Sequence, residues 1–105
     1  MPTVDANVII VFASFRPVAG KEHELQELLS WMVGHTREEP GCERYDLYRR
    51  HDEGETFHLF ERYRDNEALE QHRASEHYVE YRRLVGDLLQ EPIDVLVLDG
   101  LAVAP

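Results

Sequence analysis

The chain has 105 residues, 43% of them apolar and 30% charged, with a formal net charge of −10. That length predicts one domain spanning 1–105, its core at about 7–99, built round a single hydrophobic centre. The acidic balance argues against nucleic acid, whose phosphates need a basic surface, and no apolar run approaches the roughly 20 residues of a membrane span.

Residues 1–6 read as a loose lead-in without the basic-then-apolar order of a secretion signal, so the expected location is the cytoplasm. Asn7 to Phe15 (NVIIVFASF) reads as a strand apolar on both faces, with Ile9, Val11, Ala13 and Phe15 opposed to Val8, Ile10 and Phe12. Helices on one side and a second subunit on the other would cover both faces. Pro17 and Gly20 mark a turn. From Lys21 to about Glu38 the spacing is helical, with Leu25, Leu28, Leu29, Met32, Val33 and Thr36 on one stripe and Trp31 off its centre. Pro40-Gly41 stops this helix.

Cys42 to Arg50 alternates, a polar loop follows through Gly54 to Glu55, and Thr56 to Arg64 predicts a third strand in a hairpin with the second. The lone Cys42 excludes an internal disulfide and reads as a small apolar side chain rather than a nucleophile. Asp65 suits the N-cap of a helical region from Asn66 to Leu89, which Ser75 could interrupt by capping a second segment. After Pro92, Ile93 to Leu98 predicts a fourth strand, and the tail LAVA is apolar. The order β-α-β-β-α-β is the ferredoxin-like α+β plan, a four-stranded antiparallel sheet with helices on one face. Two such sheets pairing face to face would make a dimeric α+β barrel.

Within this plan Glu61 points to the side of the sheet shared with Phe57, Leu59 and Tyr63, and His72 continues the apolar helix stripe of Ala68 and Leu69. A carboxylate and an imidazole therefore aim at the same interior. The imidazole can serve as a proton acceptor in a pocket or be a core side chain satisfied by Glu61, which can itself be a structural acceptor. His77 has capping and surface roles open beside a catalytic one. His58 lies on the opposite strand face, and His23, His35 and His51 read as solvent residues. His72 and His77, five residues apart, fall on different helix faces, and His72 with Glu76 has the right spacing but lacks a third ligand, so no metal site is expected. No glycine-rich phosphate motif supports a nucleotide cofactor.

These residues resemble the antibiotic biosynthesis monooxygenase family of the dimeric α+β barrel superfamily. The resemblance runs over nearly the whole chain, through PVAGKEHEL, EEPGCERYDLYR and FHLFERYRDNEALEQHRASEHY. It implies a homodimer in which each subunit holds a pocket between sheet and helices. It also implies cofactor-free oxygenation of a quinol, anthrone or polyketide-like aromatic by O₂, with no metal. In oxygenase-like members a histidine matching His72 faces the pocket, and the E-x-[WY] pair matches Glu61 and Tyr63. Haem-degrading members instead use an asparagine, a tryptophan and a histidine where this chain has Ala13, His72 and Arg82, so haem is not expected.

On that reading His72 takes the proton of an electron-rich substrate, with Glu61 as the second catalytic group. Tyr45, Tyr63, Tyr78 and Tyr81 would hydrogen-bond substrate oxygens, while Phe12, Phe57, Leu28 and Met32 would wall the cavity. A cavity on the order of a few hundred Å³ beside His72 favours an enzyme or binder, and a pocket filled by the protein's own aromatics favours a structural role. The alternatives are a non-catalytic barrel for a small ligand or a stress role, and an isomerase or lyase of a small metabolite on the same scaffold.

Overall fold

The computed structural model describes residues 7–51 and 56–103. The expected lead-in at 1–6, most of the polar loop with Gly54, and Ala104 of the tail lie outside them. The elements are β1 (Ile9–Phe15), α1 (Glu22–Thr36), β2 (Cys42–Arg49), β3 (Phe57–Tyr63), α2 (Asn66–Ala74), α3 (Glu76–Val85), a 3₁₀ turn (Gly86–Leu88) and β4 (Asp94–Leu98). The strands form one antiparallel sheet in the order β2-β3-β1-β4. This is the ferredoxin-like topology that the element order predicts.

Alternation along β3 decides which residues meet the helices: Phe57, Leu59, Glu61 and Tyr63 are buried, and the residues between them are half-buried. Val11, Ala13 and Phe15 of β1 face the same way: Ala13 and Phe15 pack with Leu25, Leu29 and Met32 of α1, and Val11 packs with Tyr63, Ala68 and Leu69. Each of the larger ones, Val11, Phe15, Leu25, Leu29 and Met32, contributes roughly 1.5–3 kcal/mol by its burial. A register shift in β2 between Cys42 and Arg44 adds one residue to that strand. Cys42 and Tyr45, three apart, both reach the inner side because of it.

Gly41 lets the α1–β2 turn lie against α2, since a Cβ there would stand 2.4 Å from Ala68 Cβ. The helical region breaks at Ser75, whose ψ of 154° is extended. Asp65 accepts from the Ala68 N–H at 2.8 Å and Ser75 from the Tyr78 N–H at 3.2 Å, the two caps that residue type predicts. Among the described residues no helix is long and apolar enough to cross a membrane.

Among the described residues, one face of the sheet carries no helix. Phe12 stacks on His58 there, with ring centroids 5.3 Å apart. Edge strand β4 is exposed on both sides, Val95, Leu96, Val97 and Leu98 each at 42% or more. The half-buried Cys42 fits its expected apolar role, and burial raises its thiol to about 11, far from nucleophilic at neutral pH.

Candidate active site

Register places Glu61, at the middle of β3, between Tyr45 of β2 and Val11 of β1. It is only 6% exposed. The Tyr63 hydroxyl donates to Glu61 Oε1 at 2.6 Å. Burial pushes the Glu61 carboxyl up to about 7, against the opposing pull of that hydrogen bond and of the Arg73 charge. The same burial, reinforced by the Glu61 charge, raises Tyr45, Tyr63 and Tyr81, which stay protonated donors.

His72 enters from above, in the last turn of α2. Its ring is 2% exposed and lies 5.7 Å from Tyr45, 5.2 Å from Tyr63 and 5.1 Å from Tyr78 by centroid. Desolvation lowers its basicity, while the hydrogen bond and charge of Glu39 partly restore it. Nδ1 sits 2.8 Å from Glu39 Oε2, and His77 Nε2 sits 2.6 Å from the same oxygen. A carboxylate accepts hydrogen bonds, so the hydrogen on His72 belongs on Nδ1 and the lone pair on Nε2.

The partner of His72 is thus Glu39, whereas the sequence pointed to Glu61. Strand geometry ties Glu61 to Tyr63, two residues along the same face. The turn between α1 and β2 carries Glu39 over the end of α2. His77, for which capping, surface and catalytic roles stood open, is part of the same cluster. The expectation that His72 and His77 diverge assumed an unbroken helix; the break at Ser75 redirects α3 and turns both imidazoles onto one oxygen. No local pattern marks Glu39, since its role depends on which helix end the turn passes over.

Tyr45, Glu61, His72, Tyr78 and Tyr81 line a common chamber, whose exposed border is formed by Arg73, Arg82 and Val95. Its volume is about 50 Å³. That is room for a water or two at about 30 Å³ each, not the few hundred Å³ expected. The protein's own tyrosines and Leu69 occupy the difference. Tyr63 contributes through Glu61 and the His72 ring rather than as lining.

None of the four predicted wall residues borders this chamber. Phe12 is on the helix-free face of the sheet, because its neighbours Val11 and Ala13 take the inner one. Phe57 and Met32 are closed into the core. Leu28 borders an external groove between α1 and α3 with Trp31 and Leu84.

The pattern of the family described as antibiotic biosynthesis monooxygenase matches residues 8–84. Rv0793 of Mycobacterium tuberculosis is 48% identical over 93 residues, which are 89% of this chain and 91% of that protein. The solved structure of Rv0793 superposes with a TM-score of 0.90, covering 93% of this chain and 99% of that one. PA3566 from Pseudomonas aeruginosa is similar at a TM-score of 0.85 and 30% identity, over 91% of this chain and 96% of that one.

Proposed function

Because the chain belongs to the antibiotic biosynthesis monooxygenase family, we propose that it is a cofactor-free monooxygenase of an electron-rich aromatic such as a quinol or anthrone. It acts in the cytoplasm as a homodimer. The observation that carries the reading is the buried His72, held through Nδ1 by Glu39 and bordering a chamber ringed by tyrosines and Glu61.

Nε2 of His72 takes a phenolic or benzylic proton, leaving an anion that passes one electron to O₂. Recombination forms a carbon–oxygen bond, and loss of water completes the reaction, so a CH₂ and O₂ become C=O and H₂O. Tyr45, Tyr78 and Tyr81 donate hydrogen bonds to the developing oxyanion. Glu61, near 7, exchanges a proton at neutral pH and serves the departure of water.

The small chamber admits the reacting group alone. Val95 and Val97 pair with Ala13 and Val11 and so share the inner face of the sheet, yet they are 45% and 56% exposed. The aromatic ring rests on this shelf, beside Arg73 and Arg82. On the helix-free face, Phe12, Phe60, Leu96 and Leu98 supply the apolar surface that a second sheet covers.

The 50 Å³ chamber, filled by the protein's own tyrosines, also favours a second reading, a barrel without turnover in which His72 is structural and the shelf binds at most a small apolar ligand. Oxygen uptake and product mass with a panel of hydroquinones and anthrones separate the two. Turnover is expected, with His72→Ala slower by about 10²–10⁴-fold while its circular dichroism stays native. Unchanged turnover in that variant removes His72 as the base, and no uptake across the panel leaves the binding barrel.

A further inference from the structure

Glu39, His72 and His77 come from three elements, the α1–β2 turn, the end of α2 and the start of α3, and converge on one point. One donor atom from each lies within 4.8 Å of the other two. Their side chains are 15%, 3% and 15% exposed. The exposed His35 ring stacks on His77, with ring centroids 5.6 Å apart. Two neutral imidazoles and a carboxylate form the donor set of open, three-ligand zinc sites.

We propose that Glu39, His72 and His77 bind one divalent transition-metal ion of the zinc class, and that this ion and the base role of His72 exclude each other.

A tetrahedral ion with bonds of about 2.0 Å keeps its donors about 3.3 Å apart. The present Oε2 separations of 2.6 and 2.8 Å need to open by about 0.5–0.7 Å, and the two imidazole nitrogens, within 4.8 Å of each other, need to settle at the same spacing, through a swing of the Glu39 carboxylate and small rotations of the two rings. The ion takes the place of the ring hydrogens that point at the shared Glu39 oxygen, and it brings two positive charges to the cluster. The chain's net charge of −10 favours that change. A water completes the fourth position. Coordination uses the lone pair of His72 Nδ1, so the ring hydrogen must move to Nε2. Nε2 then donates into the chamber and accepts nothing, which silences the base. Zinc-class ions therefore inhibit turnover from outside the substrate shelf. That consequence rests on the function proposed above; the binding site does not.

The test titrates Zn²⁺ into chelator-treated full-length protein by calorimetry. One ion per chain is expected, with Glu39→Gln and His77→Ala weaker by about a hundredfold or more. His23→Ala, which breaks the exposed His23–Glu27 pair, is the control and leaves affinity unchanged. Imidazole ¹H–¹⁵N spectra should show His72 passing from the Nδ1–H to the Nε2–H form as zinc is added. Equal affinity in wild type and both site variants, or a His72 tautomer that does not move, overturns the site. Tight binding that leaves turnover untouched or raises it overturns the exclusion alone. Tight binding in a protein that turns over nothing on the quinol panel keeps the site and removes the function it was to inhibit.

Discussion

Replacing Glu61 by glutamine should remove a specific pH dependence of stability. The carboxyl is buried beside Val11 and Tyr45, and desolvation lifts it from an ordinary 4.5 to about 7. Unfolding returns it to water and to its ordinary value. Between those two values the folded chain keeps a proton that the unfolded chain has released. The stabilisation is therefore complete below pH 4.5, falls as pH rises, and is gone above about 7. At about 1.4 kcal/mol per pH unit the span amounts to about 3 kcal/mol. Glutamine is neutral throughout, and its amide oxygen can still accept from Tyr63, so Glu61→Gln should lack the slope. Urea unfolding from pH 4 to 8, at fixed protein concentration and salt with a chelator present, measures both proteins. The other acidic groups cancel in the difference. The variant should match wild type near pH 4 and exceed it by about 3 kcal/mol at pH 8. Parallel stability curves would refute the account of Glu61 as a desolvated carboxyl.

Gly41→Ala should destabilise by roughly 1–3 kcal/mol, because the new Cβ meets Ala68 Cβ at 2.4 Å and the turn must leave α2; thermal melts check it. Ser75→Ala should cost about 1 kcal/mol through loss of the α3 cap. It also removes the 2.6 Å hydrogen bond from the Ser75 hydroxyl to the His72 carbonyl, leaving only the backbone N–H of residue 75 at 3.1 Å to hold the end of α2, so turnover on the quinol panel should fall with it. Leu96→Glu places a charge on the helix-free face and should turn the expected dimer into a monomer by light scattering; an unchanged mass would move the interface elsewhere.

Each helix and strand could be read from the chain because the signals that form them are local. A β3 that alternates Phe57, Leu59, Glu61 and Tyr63 has its inner face written every second residue. Asp65 and Ser75 mark helix starts through hydrogen bonds to backbone three residues on. The orientation of Glu61 and His72 towards one interior followed from the same periods, and both line the chamber.

What the chain order could not supply was distance between elements. Glu39 meets His72 and His77 across separations of 33 and 38 residues, and only the path of the α1–β2 turn over the helix break brings them together. Phe12, expected as a pocket wall, is a different case: the alternation that opposes it to Val11 and Ala13 is legible in the chain and sends it to the other side of the sheet. The chamber's size was equally hidden, since it is the residue of how tyrosines from β2 and α3 and Leu69 of α2 fill a shared volume. Local periodicity thus determined the elements and their inner faces; the partner of the imidazole and the space beside it arose only when distant segments packed.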